Sequence, residues 1–380
     1  MTATGIRRRL PGRDFVILPF LSIATAIAVL AMAEIGSRMA MPEVQADSCM
    51  LHDPLLGQRP IPDCISHTKS PEGEWVENRY NECGYRSDTP CRAPLNGAWR
   101  IVTIGSSTGW GYQIPTDQTW YTRTAGYFSR QCGRRIDVQN LGGLYHLDQT
   151  ATTIPAALAE HPKFIVTFVS PFDLEEAAGG TFTPAVPHYA AETDATKAQP
   201  RLSLMQRIKG PLLESRAVIL AEHLLFRKPS TYIPLYMRNG DKSDFLREPF
   251  TQAWQDRLNY ADAALGYMAD RIHEAGIPFV LVFTPQQAQA DIVATGEQFP
   301  GVNPSAIDLA LMRIAERHSI IFVDMTPDFR GIPDAPDFYL NVDGHLNGGG
   351  QAMAALAVEK TLAGPGGPFA ACKMPDKDMK

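Results

Sequence analysis

Five short runs dense in Val, Ile and Phe punctuate the chain, at residues 101–104, 136–138, 164–168, 279–283 and 320–323. Most are apolar on successive rather than alternate positions, as strands buried on both faces of a parallel sheet are. Between them the period changes. Phe250, Trp254, Leu258, Ala261, Leu265, Met268 and Ile272 recur at spacings of three and four, and Gly276 then Pro278 supply a stop. Ile307, Leu311, Ile314 and Ala315 repeat the pattern before the last run. Alternating strands and helices predict an α/β fold, a three-layer α/β/α sandwich with a five-stranded parallel sheet and helices on both faces.

The remaining stretches fit less regular roles. Roughly 110 residues separate the third and fourth runs, too many for one crossover connection. Within them, 176–200 is rich in Ala, Gly, Thr and Pro and predicts a long loop, whereas 202–226, with Leu204, Ile208, Leu212, Ile219 and Leu220 apolar, predicts a helix. Together they make an insertion at about 176–248 of the kind that caps a site or binds a partner. Upstream, 44–95 is rich in Pro, Gly and Cys with little periodicity, so 41–98 reads as a loop-rich segment packed on a main domain at 99–363. From Gly364 the sequence is low in complexity and reads as a tail, 364–380.

At the N-terminus, Arg7, Arg8, Arg9 and Arg13 precede an uncharged, mostly apolar stretch at 15–33. A helix needs about 20 such residues to cross a bilayer core. Arginines before the span place the N-terminus in the cytoplasm and the rest of the chain outside, so 1–40 reads as a cytoplasmic tip and transmembrane anchor. A signal peptide cleaved near Ala33, at Ala31-Met32-Ala33, is the rival; its apolar region is ordinarily shorter, which favours the anchor.

Composition sharpens this picture in two places. With 380 residues, 44% of them hydrophobic, and a net charge of −6, the chain buries a full core and offers nucleic acid no basic footing. All six cysteines, Cys49, Cys64, Cys83, Cys91, Cys132 and Cys372, follow the apolar segment, which fits disulfides in an oxidising compartment. Six cysteines allow 15 connectivities. Local pairs Cys49–Cys64 and Cys83–Cys91 would staple the segment before the first strand and leave Cys132 to hold the tail at Cys372.

Candidate chemistry is sought where open α/β sheets bind ligands, at the carboxyl ends of the strands. Strand one ends in "GSSTG" (105–109), strand two in "NLGG" (140–143) and strand three in "SPFD" (170–173), and the last strand leads to "DGH" (343–345). A serine hydroxyl needs a base, and the base a partner that fixes its tautomer. Ser107, His345 and Asp343 supply one of each. Gly105-x-Ser107-x-Gly109 also matches a nucleophile elbow, but no HGGG-type segment accompanies it. No G-x-G-x-x-G or Gly-Lys-Ser/Thr segment supports a nucleotide site. Without a C-x-x-C pair, and with only Asp343 and His345 together, neither a metal nor a cofactor is expected.

In their order these pieces resemble the SGNH (GDSL-like) hydrolase family over about 81–356, the insertion excluded. "IVTIGSSTGWGYQI" is similar to the family's first block, with Ser107 at the nucleophile; "VQNLGG" to its second; "DGHLNGGG" to its last, with Asp343 and His345 as orienter and base. "NECGYR" (81–86) is similar to a segment that precedes the first block in membrane-anchored relatives. The resemblance implies an SGNH/flavodoxin-like fold and a serine esterase or O-acyltransferase acting on small acyl esters such as acetyl, on a glycan of the bacterial envelope. It also implies an inner-membrane chain with its catalytic domain on the periplasmic side, and it names no protein partner. Backbone N–H groups of Ser107 and of Gly142 or Gly143 would form the oxyanion hole, with Tyr145 and His146 nearby as other donors. Three departures stand out. Ser106 takes the place of the family's aspartate, one residue rather than two separates Asp343 from His345, and Phe172 replaces the asparagine that donates to the oxyanion. The last supports an alternative, a catalytically impaired domain that binds a glycan or serves an assembly complex.

Overall fold

A single apolar helix opens the computed structural model, which describes residues 13–46, 49–175, 181–183 and 215–372. This helix, α1 (Asp14–Ala40), is apolar enough over Phe15–Ala40 to cross a membrane, with a mean hydropathy of 2.5 over its most apolar 18 residues, none of which is buried in the protein; only near its C-terminal end, at Ser37, is a residue buried. It is therefore no core helix, and at 1.5 Å per residue its length suits a bilayer or a leader segment. Arg7, Arg8 and Arg9 lie outside the described residues.

The stretch expected to be loop-rich contains five short strands instead. β1 (Val44–Ala46), β4 (Ile65–Lys69) and β5 (Trp75–Arg79) form an antiparallel sheet, and β2 (Met50–Asp53) and β3 (Gly57–Pro60) a hairpin. The strands hold three to five residues each, and the inward positions of the β4–β5 pair include Ser66 and Asn78 beside Val76. Polar inward residues erase the alternation that would reveal such strands. Cys49–Cys64 joins the hairpin to β4, and Cys83–Cys91 closes the loop leading to the main sheet.

That sheet comprises β6 (Trp99–Gly105), β7 (Ile136–Asn140), β8 (Phe164–Val169), β9 (Phe279–Phe283) and β10 (Ile321–Asp324), all parallel, in the order β10-β9-β8-β6-β7. After β6 the chain first adds β7 on one side, then crosses to β8 on the other, so the order reverses between β6 and β8. Ligands bind beyond the strand ends at such a reversal. Ile101, Val102 and Ile104 of β6 are fully buried, because side chains alternate into two apolar layers. On one face pack α4 (Leu147–Thr152), α5 (Ile154–Ala159), α9 (Gln252–Glu274) and α11 (Ala306–Arg317); on the other, α3 (Trp120–Cys132) and α12 (Gly348–Ala363). The apolar seam expected of α9 is its buried face, Trp254 through Ile272. At the foot of β6, Arg100 donates to Asp137 at 2.7 Å and Glu160 at 2.6 Å, a buried charge satisfied on both sides.

Of the insertion, α7 (Arg216–Phe226) and α8 (Pro229–Tyr236) are described, whereas Leu204, Ile208 and Leu212 lie outside the described residues. Glu34 of α1 accepts from Ser215 Oγ at 2.7 Å and from the N–H groups of Arg216 and Ala217, which caps α7 with a carboxylate from the apolar helix. The C-terminal stretch is also less free than expected. Phe369 is buried against Phe128, and Cys372 is bonded to Cys132, so the chain stays docked through residue 372.

Candidate active site

At the end of β6 the backbone turns on Gly105, whose φ of +106° and approach to Thr167 leave no room for a side chain; a Cβ there would lie 2.5 Å from Thr167 Oγ1. Ser106 remains extended and Ser107 opens the short helix α2 (Ser107–Trp110). As its first residue, Ser107 has no intrahelical acceptor for its N–H, and no other acceptor serves it among the described residues. The turn is pinned from behind by Arg86 of the "NECGYR" segment, whose buried guanidinium donates to the carbonyls of Trp110, Gly111 and Ile114. Asn81 of the same segment orders the preceding loop, accepting from the N–H groups of Cys83 and Tyr85.

The second half of the site comes from 238 residues away. Tyr339 and Leu346 pair across a loop in which Leu340 and His345 bond through their main chains at 2.8 Å and Gly344 turns at φ +89°. Asn347 then caps α12 by accepting from the N–H groups of Gly349 and Gly350. This tight excursion turns His345 toward α2. Its Nε2 lies 2.6 Å from Ser107 Oγ, and its Nδ1 lies 2.5 Å from Asp343 Oδ1. With Nδ1–H donating to the carboxylate, Nε2 is left to accept the serine proton.

Asp343 is held by more than the imidazole. Gln113 Nε2 donates to its Oδ2 at 3.2 Å, and the His345 N–H to its Oδ1. Burial alone would raise this carboxyl, but the His345 ring, its charge and N–H, and Gln113 outweigh that and hold it below the usual aspartate range. Tyr112 lies against the imidazole with ring centroids 5.1 Å apart. Asp173, buried behind the serine turn, accepts from Ser170 N–H and Oγ at 2.7 Å each. Its burial pushes the carboxyl up, against the pull of the bonds from Ser170 and Ser106 and of the His345 charge.

The residues expected to complete the oxyanion hole are placed differently. Beyond β7 the chain keeps pairing with β6, with Leu141 N–H donating to Thr103 and Gly143 N–H to Gly105 at 3.0 Å, while Gly142 N–H donates to Asn140 Oδ1 at 3.0 Å. The N–H of Gly142 is therefore committed within its own loop and that of Gly143 to the end of β6, because the ladder runs past the strand end. The His146 N–H is committed too, to Gln149 Oε1 at the start of α4, and Tyr145 is buried against Gly143. Phe172, on α6 (Pro171–Glu175), is 43% exposed and does not line the cavity beside the triad. Ser107, His345 and Asp343 are thus brought together, while the N–H groups of Gly142 and Gly143 are engaged elsewhere.

A cavity of about 1010 Å³ opens beside this group, between the small antiparallel sheet and the carboxyl edge of the main one. Tyr112, Gln113, Tyr145 and Asp343 line its catalytic side, and Val76 and Asn78 its far wall. Gln113, Asp173 and Arg86 all fall in segments the sequence marks, "IVTIGSSTGWGYQI", "SPFD" and "NECGYR", but none of them carries a chemical motif of its own that would give it a role there.

No family model matches the chain, and no curated protein does. Among solved structures it is similar to TesA (13% identity, 69% of this chain and 97% of that one, TM-score 0.37), to the lipase Lip_vut3 from a goat rumen metagenome (11%, 69% and 97%, 0.40) and to the acetyl xylan esterase AlAXEase (11%, 68% and 97%, 0.38). With TM-scores of this size, none of them bears on the chemistry of Ser107.

Proposed function

We propose that the chain is an SGNH-type serine esterase or O-acyltransferase that acts on small acyl esters, acetyl foremost, of an envelope glycan. The observation that carries this reading is the continuous chain Ser107 Oγ, His345 Nε2, His345 Nδ1, Asp343 Oδ1 at 2.6 and 2.5 Å, set at the carboxyl end of β6. Ser107 Oγ attacks the ester carbonyl as His345 Nε2 takes its proton, and Asp343 steadies the imidazolium. The carbonyl π electrons move to oxygen, and the Ser107 N–H is the donor placed to meet that charge. Collapse expels the alcohol, which takes the proton from His345 and leaves an acyl-serine. Water then yields the acid, or a sugar hydroxyl takes the acyl group, with His345 again as base.

The rest of the molecule supports a location and a substrate class. The apolar, unburied α1 supports an inner-membrane anchor, and three disulfides support a domain on the periplasmic side. A cavity of about 1010 Å³ has room for sugar residues around a scissile ester. The impaired, glycan-binding alternative rests on Phe172 in place of an amide donor. Phe172 is not among the residues that line the cavity, so it does not plug it, and the missing donor lowers the rate by roughly 10²–10³ where such donors have been removed. Full-length protein in detergent should hydrolyse p-nitrophenyl acetate slowly, and Ser107→Ala should reduce that to the uncatalysed rate; equal turnover by both proteins would contradict the reading.

A further inference from the structure

The loop between β4 and β5 reaches across the cavity and touches the catalytic loop. Glu72 at its tip has a side chain only 4% exposed. Its Oε2 accepts from the N–H of Val342 and of Asp343, each at 3.0 Å, and its Oε1 accepts from Val342 N–H at 3.2 Å. The same Oε1 lies 2.6 Å from Nδ1 of His223 on α7. The tip is itself fixed, since Gly73 N–H donates to Ser70 Oγ and Lys69 Nζ to the Gly73 carbonyl. One carboxylate thus joins three parts of the chain: the small sheet, the insertion helix and the loop that bears Asp343 and His345.

We infer that Glu72 is a positioning residue for the triad, holding the 340–345 loop so that Asp343 and His345 meet Ser107. This rests on the nucleophile role proposed for Ser107. A backbone N–H at residues 342 and 343 faces this carboxylate rather than a helix or strand partner, so without Glu72 both donors would be left to find water. An ionised acceptor makes the stronger bond to an N–H. Asp343 keeps its contacts to His345 and Gln113 only while its own Cα stays in place, and a displacement of about 1 Å at a catalytic group costs roughly 100-fold in rate. His223 fixes the far oxygen, so the insertion helix bears on the catalytic loop without touching substrate.

The test uses full-length protein in detergent and two readouts: the rate of labelling by a fluorophosphonate probe, and hydrogen exchange of the peptide containing Val342 and Asp343. Glu72→Ala should label roughly 10- to 100-fold more slowly at unchanged disulfide content, with faster exchange in that peptide. Glu72→Gln keeps one acceptor oxygen and should recover part of both; it also serves if the alanine variant does not fold. Unchanged exchange overturns the inference, as does faster exchange with labelling at the wild-type rate. If wild-type protein labels no faster than Ser107→Ala, the nucleophile role itself fails. Exchange then decides whether Glu72 holds the loop at all.

Discussion

The ends of β6 and β7 lie side by side, and they differ in what the backbone does next. After β6 the chain breaks from the ladder beyond Gly105, and Ser107, the first residue of α2, carries a hydroxyl that meets His345 Nε2 and an N–H with no acceptor among the described residues. After β7 the ladder continues through Gly143, and Asn140 takes up Gly142, so the N–H groups are spent before they can face a ligand. A strand end becomes a reactive site only where the backbone leaves its pairing, and this sheet does so once of the two. The side chains proposed as nucleophile and base meet at hydrogen-bond distance, and the proposed oxyanion side rests on Ser107 N–H.

Changes at the β6 side should therefore be severe. Asp343→Asn removes the carboxylate that fixes the His345 tautomer, and should slow ester turnover by roughly 10⁴-fold with little change in KM. A loss under tenfold would mean that His345 is oriented by something else. Changes on the oxyanion side should be mild, because little is there to lose. Phe172→Ala should keep p-nitrophenyl acetate turnover within about threefold of wild type, since the side chain faces solvent. A tenfold drop would place Phe172 against the substrate and favour the binding alternative.

The smallest effect is on stability. Asp343 sits below its ordinary value when folded, so its bonds stabilise the fold above the unfolded-chain pKa, and that contribution is lost as pH falls through the folded one. Thermal midpoints of wild type and Asp343→Asn should draw together as pH is lowered from about 5 toward about 3. A gap constant over that window would mean that the carboxylate gains nothing from its partners in the fold.

The same contrast governs what could be read from the sequence. The five buried strands announce themselves because both faces are apolar, and α9 because its seam is unbroken from Trp254 to Ile272. Ser107, Asp343 and His345 were legible as well, since a turn at a strand end and a short Asp-Gly-His loop are local features. What escaped is non-local. The small sheet is hidden by Ser66 and Asn78 on its inward face, and Gly142 and Gly143 look free until the pairing with β6 is known. Glu72 sits in an ordinary turn, "SPEGE", and nothing near it shows that its carboxylate meets backbone 270 residues further on.

The central claim is that the Ser107 hydroxyl is activated by His345. Full-length protein exposed to a fluorophosphonate and followed by intact mass, beside Ser107→Ala and His345→Ala, tests it directly. A single phosphonyl adduct on wild type, mapped to Ser107 and absent from both variants, is the predicted result. Folded, disulfide-intact protein that stays unlabelled, or labelling that persists in Ser107→Ala, would contradict the account.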